Sequence, residues 1–328
     1  MNSQDFQRRI RSLKLGIEKK LALLANNKEL DSLCEPIRYV LSSGGKRTRG
    51  ILVLLSCEAV GGRARAALNA AVAIELLHNF TLVHDDVMDN ADVRRGQPAV
   101  HRKWDFNVAI LVGDELIAQA YQSLSMNKGL NLKKILDVFT YTFIQVCEGQ
   151  SRDKELENRR KVSLGEYLSM IEKKTARMIA GATEIGALIG GGSKQEVAAL
   201  RHFGEFLGKA FQIQDDLLDI AGHENQLGKK IGGDVREGKK TYLSLRALER
   251  TKGRDRAFLQ SLSERNRISD KAIARVREIY EEVGVLDAAR KEIARNTHRA
   301  QASLVPLRSS KAKDTLVYLS NRLLERTS

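Results

Sequence analysis

The chain has 328 residues, 42% of them apolar, 29% charged and 5% aromatic, a globular composition with enough length to bury a large core. Its 55 Lys and Arg against 41 Asp and Glu leave a net charge of +14, which suits an anionic partner or a solvated basic surface. No zinc finger, RNA-binding aromatic motif or basic zipper accompanies that charge, so no nucleic acid partner is expected. Cys34, Cys57 and Cys147 form neither a metal-ligand spacing nor a disulfide framework, which fits a reducing, cytoplasmic setting.

From the N-terminus, residues 1–24 lack an apolar h-region, and Asp5 and Glu18 argue against a transit peptide, so no leader is expected. No apolar run approaches the ~20 residues of a membrane span. Only Pro36, Pro98 and Pro306 interrupt a chain rich in Ala, Leu, Glu, Lys and Arg, so helix is expected nearly throughout. Periodicity places helices at about 5–25, 46–60, 66–89, 103–127, 131–150, 164–190, 195–220, 241–250, 255–264, 269–284, 287–304 and 312–325. In the third of these, Leu68, Ala71, Ile74 and Leu77 share a stripe. Residues 90–101 read as a loop, Gly190-Gly191-Gly192 as a turn and 222–240 as a Gly- and Lys-rich loop. The reading is one all-α domain over residues 1–328.

Two segments echo one another: Asp85-Asp86-Val87-Met88-Asp89 and Asp215-Asp216-Leu217-Leu218-Asp219. Each is D-D-x-x-D at the end of an apolar helical stretch. Positions i and i+4 of a helix lie about 40° apart, so Asp85 and Asp89 share a face, as do Asp215 and Asp219. Carboxylates one turn apart repel unless a cation lies between them. Hard oxygens that leave room for phosphate suit Mg²⁺. A solvated acidic helix end is the bland alternative, but acid at a helix C-terminus opposes the dipole, a cost that function explains.

Basic residues flank these motifs. Gly44-Gly45-Lys46-Arg47-Thr48-Arg49 opens a helix where free N–H groups favour an anion. Arg94 and Arg95 directly follow the first motif and are either surface partners of the aspartates or phosphate clamps. Lys173-Lys174-Thr175 interrupts an apolar helix, and Lys229, Lys230, Lys239 and Lys240 populate the Gly-rich loop with Asp234 between them. His78 lies about 20° from the direction of Asp85 on an ideal helix, which suggests a substrate role.

As a set, these residues resemble the trans-isoprenyl diphosphate synthases, or polyprenyl synthetases, from about residue 30 to the C-terminus. The resemblance is carried by Gly44-Gly45-Lys46-Arg47-x-Arg49, the stretch from Leu77-His78 to Asp89, Arg94-Arg95-Gly96-x-Pro98, Gly149-Gln150 with Asp153, and Lys174-Thr175-Ala176. It continues in Phe211-Gln212 through Asp219 and Gly228-Lys229 through Gly238-Lys239. It implies an isoprenoid-synthase-like helical bundle around a central cavity, acidic motifs facing across its mouth, and a homodimer. It implies that Asp85, Asp89 and Asp215 hold Mg²⁺ on the allylic diphosphate, supported by Asp86, Asp216 and Asp219. Arg94, Lys174, Gln212, Lys229 and Lys239 would contact that diphosphate, while Lys46, Arg49, His78 and Arg95 would hold isopentenyl diphosphate. Thr175 and Gln212 would stabilise an allylic cation. Gly50 and Leu243 stand where the family usually has proline, and Gly50 is expected to loosen the helix start that carries Lys46 and Arg49.

The implied reaction is head-to-tail condensation of isopentenyl diphosphate with an allylic diphosphate. A terpene cyclase is disfavoured by two intact D-D-x-x-D motifs, and a non-catalytic partner subunit by the retention of every aspartate. In the family, a bulky aromatic five residues before the first acidic motif accompanies short products. Phe80 holds that position, implying C20, with C15 next and a medium- or long-chain product as the alternative. Phe80 projects about 140° from Asp85 on an ideal helix, which leaves interhelical core open for it, with Thr81, Leu77 or Ile74, or Tyr121 or Phe143 on a facing helix, as other candidates for the cavity floor.

Overall fold

The computed structural model describes residues 2–26, 31–127, 132–222, 231–262 and 268–325. Helix α1 (Ser3–Asn26) buries Leu13, Ile17, Leu21 and Ala25, a stripe repeating every fourth residue. Helix α2 (Asp31–Ser42) was not expected from the sequence. Pro36 lies inside it, yet Cys34, Ile37 and Leu41 bury a common side, and that burial outweighs the ~3 kcal/mol a proline costs within a helix.

Gly44 at φ 78° and Gly45 at φ 134° turn the chain into helix α3 (Thr48–Ala59), and Arg47 precedes the helix at φ 52°. Helix α3 is buried on all sides from Ile51 to Leu55, which accounts for its weak amphipathic pattern. After a 3₁₀ turn (Ala64–Ala67), helix α4 (Leu68–Met88) is also buried nearly all round from Ala70 to Leu77. By length and composition alone, Ala64–Met88 could cross a membrane, but 67% of its apolar window is buried inside the protein. It is a core helix, and it carries buried Glu75 and Asp86.

The segment read as a loop after α4 contains a hairpin. Strands β1 (Val93–Arg94) and β2 (Gln97–Pro98) pair antiparallel, with Val93 opposite Pro98 and Arg94 opposite Gln97. Arg95 at φ 52° and Gly96 at φ 75° form the turn, the two left-handed residues of a type I′ hairpin. The helix expected at about 103–127 is α6 (Phe106–Ser125), preceded by a short α5 (Val100–Lys103) that begins in the segment read as a loop. Asp105 separates them and caps α6, accepting the Val108 N–H at 2.8 Å, a cap worth about 1 kcal/mol. Helix α6 packs along α4.

Helix α7 (Leu132–Glu157) is followed by α8 (Leu164–Ile171), a π-turn (Glu172–Ala176) and α9 (Arg177–Ile189). The continuous helix expected over 164–190 therefore carries a bulge where Lys174 and Thr175 sit. Helix α10 (Lys194–Ala221) leads to α11 (Gly233–Arg236), α12 (Tyr242–Arg250), α13 (Gly253–Leu262), α14 (Asp270–Glu282), α15 (Val285–Ser303) and α16 (Lys311–Glu325). Capping boxes of Ser163 with Glu166 and Thr241 with Ser244 start α8 and α12.

The chain falls into two compact units. The first comprises Met1–Phe143, Gly181–Arg201 and Val305–Tyr318, and the second Ile144–Ala180, His202–Leu304 and Leu319–Ser328. In the first, Gly50 is tied down rather than loosened. Its N–H donates to Glu75 Oε1 at 2.8 Å, and a Cβ there would lie 3.0 Å from the Ala71 carbonyl oxygen. Proline lacks this N–H. Gly50→Pro is expected to lower the unfolding free energy by about 1–3 kcal/mol, because buried Glu75 loses a donor. A urea midpoint equal to that of the unsubstituted chain would contradict the contact's importance.

Candidate active site

In the first unit, α4 presents the first acidic motif at its C-terminal end. Asp86 is buried, Asp85 half-buried and Asp89 exposed. Arg94, projecting from β1, donates through Nε to Asp86 Oδ1 at 2.8 Å, and its Nη2 donates to the same oxygen. Burial pushes the Asp86 carboxyl up, and the Arg94 hydrogen bonds and charge oppose that rise. The hairpin thus neutralises the middle aspartate.

The residues expected at isopentenyl diphosphate come together in this unit. Arg95 Nη1 donates to the Gly44 carbonyl at 2.6 Å and to Ser43 Oγ at 3.1 Å. Gly45 leaves room for that guanidinium, since a Cβ would lie 3.3 Å from Arg95 Nη2. Lys46 is exposed beside this contact. Arg49 Nη1 lies 3.1 Å from His78 Nε2. Arginine only donates, so Nε2 accepts and the His78 ring is the neutral Nδ1–H tautomer. Burial holds the His78 pKa well below the usual imidazole range, and the charges of Arg49, Arg95, Arg94 and Arg47 add to the effect. Arg47, outside the expected set, is buried and donates to the Leu41 carbonyl at 2.7 Å.

Phe80 is 8% exposed. Its ring meets Phe143 edge-on at 5.3 Å and tilts against His84 at 4.7 Å. Leu77 and Ile74 are fully buried, and Thr81 donates to the His78 carbonyl at 2.8 Å.

In the second unit, α10 presents the second motif with the same internal contrast. Asp215 is exposed, while Asp216 and Asp219 are buried. Asp216 receives three hydrogen bonds: Tyr167 Oη at 2.6 Å and the Tyr242 N–H at 2.9 Å on Oδ2, and Gln212 Nε2 at 3.2 Å on Oδ1. Burial nevertheless pushes its pKa up to about 6, with the Asp215 charge adding to the rise and the three donors opposing it. Asp219 Oδ2 accepts the Asp234 N–H at 3.0 Å, so the acidic motif anchors the first turn of α11.

The π-turn completes this half of the site. Lys174 Nζ donates to Asp153 Oδ2 at 2.5 Å, and Thr175 Oγ1 donates to Gln212 Oε1 at 2.8 Å. With Nε2 on Asp216 and Oε1 on Thr175, the Gln212 amide has one orientation. The turn packs between two glycines. A Cβ on Gly149 of α7 would strike the Lys174 backbone, and one on Gly208 of α10 would strike Ala176. Lys239 pairs with Glu237 at 2.6 Å, and Lys229 lies outside the described residues. Sequence reasoning missed Tyr167 and Tyr242 as partners of Asp216. Both lie at capping boxes, Tyr167 directly after the Ser163–Glu166 box and Tyr242 directly after the N-cap Thr241.

The sequence profile of the polyprenyl synthetase family matches residues 30–283. The chain belongs to the polyprenyl synthetase family. This polyprenyl synthetase is 41% identical over 297 residues to a short chain isoprenyl diphosphate synthase of Methanothermobacter thermautotrophicus, covering 90% of this chain and 91% of the relative. It is 46% identical over 222 residues to a geranylgeranyl diphosphate synthase of Methanosarcina mazei, covering 67% and 68%. Its fold is similar to the crystal structure of a geranylgeranyl pyrophosphate synthetase from Pyrococcus horikoshii, with a TM-score of 0.93, 34% identity and 98% of each chain covered. As a family member it is a trans-prenyltransferase with the all-helical isoprenoid synthase fold.

The depressed pKa of His78 carries a sign that can be tested. The folded state takes up this proton less readily than the unfolded chain, whose histidines titrate near about 6.5. Stability from His78 is therefore full above that value and is lost as pH falls from it toward the lower folded pKa. NMR of the imidazole nitrogens should find His78 neutral at pH 6, and a half-protonated ring there would contradict the Arg49 contact.

Proposed function

We propose that this polyprenyl synthetase condenses isopentenyl diphosphate head-to-tail with an allylic diphosphate and releases a C20 prenyl diphosphate, with C15 the nearest alternative. The carrying observation is the contrast within each acidic motif. Asp86 and Asp216 are buried and hydrogen-bonded, while Asp89 and Asp215 are exposed. The family match runs across both compact units, which supports reading them as one catalytic domain.

The donor chemistry fits Mg²⁺. Among the described residues, no three acidic or imidazole side chains converge on one point, and Mg²⁺ is usually bound by one or two carboxylates together with water and substrate phosphates. Asp85, Asp89 and Asp215 would each contribute to a magnesium cluster on the allylic diphosphate rather than share one ion, supported by Asp86, Asp216 and Asp219. When bound, the metal supplies charge stabilisation for the departing diphosphate.

The chain's own residues supply the rest. Lys174, Arg94 and Lys239, together with Lys229, meet the allylic diphosphate, where negative charge grows as the C–O bond ionises. Asp153 aims the Lys174 ammonium. Thr175 and Gln212, locked to each other, offer oxygens to the allylic cation. Lys46, Arg49, His78 and Arg95 hold isopentenyl diphosphate so that its alkene attacks at close range. The departing proton goes to the released diphosphate, so no protein base is required.

Three further readings belong here. Exposed Phe106, Ile110 and Leu111 on α6 and Tyr141 on α7 support a homodimer that covers them. The reducing cysteine pattern supports a cytoplasmic location. The Phe80 and Phe143 pair supports a short product by closing the space beyond α4.

Turnover should require Mg²⁺ or Mn²⁺. Asp85→Ala or Asp215→Ala should each lower kcat/KM by about a hundredfold or more, since each removes a metal ligand. Full activity in EDTA, or near-normal turnover of either variant, would refute the metal assignment. Phe80→Ala should shift the main product, read by mass spectrometry, to a longer chain than that of the unsubstituted enzyme. An unchanged product would place the floor at Leu77, Ile74 or Phe143.

A further inference from the structure

The second unit contains a cavity of about 470 Å³, bounded by the α7–α8 connection, α12 and α13, of whose lining the catalytic reading uses only Lys239. No aspartate of either acidic motif lines it. Its volume lies within the roughly 300–1,000 Å³ of small-molecule pockets.

The lining divides into two chemistries. Arg160 and Lys161 come from the connection, Lys240 from the segment before α12, and Arg256 from α13. Among the described residues none of these four forms an ion pair. Burial lowers the pKa of Lys240, and the charge of Glu157 opposes that fall without forming an ion pair with it. The acidic lining residue, Glu249, is already held by Arg246 at 2.9 Å. Opposite this charge lie Leu245 and Leu248 of α12 and Leu259 and Leu262 of α13. Leu245, Leu259 and Leu262 are buried, so they form a floor and not a surface patch.

A free inorganic anion would satisfy the cations and leave the leucines wet. An apolar molecule would leave the part-buried Lys240 ammonium, with the exposed Arg160, Lys161 and Arg256 around it, without a counter-charge. We propose that this cavity is a second binding site, separate from the acidic motifs, for an anionic amphiphile: a phosphate or diphosphate head on Arg160, Lys161, Lys240 and Arg256, with an aliphatic or isoprenoid chain against Leu245, Leu248, Leu259 and Leu262. A prenyl diphosphate and a phospholipid share this chemistry. The site rests on the proposed function only for the choice of prenyl diphosphate as probe.

Its position gives occupancy a route to catalysis. Helix α12 carries the leucine floor and also the Tyr242 N–H bound to Asp216. Tyr280 lines the same cavity, and its hydroxyl pKa is raised by burial and by the charges of Asp216, Asp234 and Asp219. A chain seated on the floor therefore presses on elements that position the second acidic motif.

Calorimetric titration of the protein with geranylgeranyl diphosphate in Mg²⁺, without isopentenyl diphosphate, tests the site. The unsubstituted protein should show two binding events per chain. The triple variant R160A/K161A/R256A should lose one while keeping its turnover with Mg²⁺. Leu248→Glu, which leaves those cations in place, should weaken the same event. Inorganic diphosphate should bind there at least about tenfold more weakly, because it has no chain to bury. Sedimentation with phosphatidylglycerol vesicles separates the sources. Co-sedimentation lost in the triple variant identifies a lipid headgroup, and a retained calorimetric event without co-sedimentation identifies free prenyl diphosphate. A single event in the unsubstituted protein, or two unchanged events in the triple variant, overturns the proposal. Absence of condensation activity would instead overturn the proposed function and leave the count of binding events intact.

Discussion

A carboxylate taken out of water must be met by donors, and much of this structure is arranged around three that are. Glu75 takes the backbone N–H of Gly50, Asp86 takes the Arg94 guanidinium, and Asp216 takes a phenol, an amide and a main-chain N–H. Leaving one such group unmatched costs several kcal/mol, a large fraction of the stability of a whole domain. Each carboxylate therefore fixes the element that supplies its donor. Glu75 fixes the start of α3, Asp86 fixes the hairpin, and Asp216 draws α8, α10 and α12 to one point.

This constraint also separates roles within a five-residue motif. The middle aspartate spends its lone pairs on the protein and holds the helix end in place. Asp89 and Asp215 stay in contact with solvent, where a cation and a phosphate can reach them. The cost of acid at a helix C-terminus is thus offset in part by an anchor that the fold satisfies, while Asp89 and Asp215 are the exposed carboxylates proposed above to take the metal. The π-turn follows the same logic in the backbone: Gly149 and Gly208 allow neighbouring helices close enough to hold Lys174 and Thr175 through main-chain packing.

Much of this was legible in the sequence where the signal is periodic or repeated. The stripe of α1, the core run of α4 and the paired acidic motifs follow from residue spacing alone. Helix α2 was hidden because Pro36 reads as a breaker, and only tertiary burial of Ile37 and Leu41 reverses that reading. The hairpin was hidden because two-residue strands have no period to detect, although Arg95-Gly96 occupies the turn. The π-turn is invisible because inserting one residue into a helical turn leaves composition unchanged. Gly50 was misjudged as a loosening because its value lies in a hydrogen bond to a residue far away in sequence. Tyr167 and Tyr242 were missed because a hydrogen bond to Asp216 leaves no trace in the local pattern.

The division of the chain into two units bears on how the protein is made. The first unit takes its last segment from Val305–Tyr318, after the whole central part of the second has been synthesised. On a ribosome adding about 5–20 residues each second, the N-terminal helices must wait for that segment before their contacts are complete. During that interval Phe6 of α1, whose ring packs against Tyr318 in the finished protein, lacks that cover. The nascent chain therefore has a defined window in which a chaperone that binds apolar helices has the most to hold, and the window closes only once Tyr318 has been added.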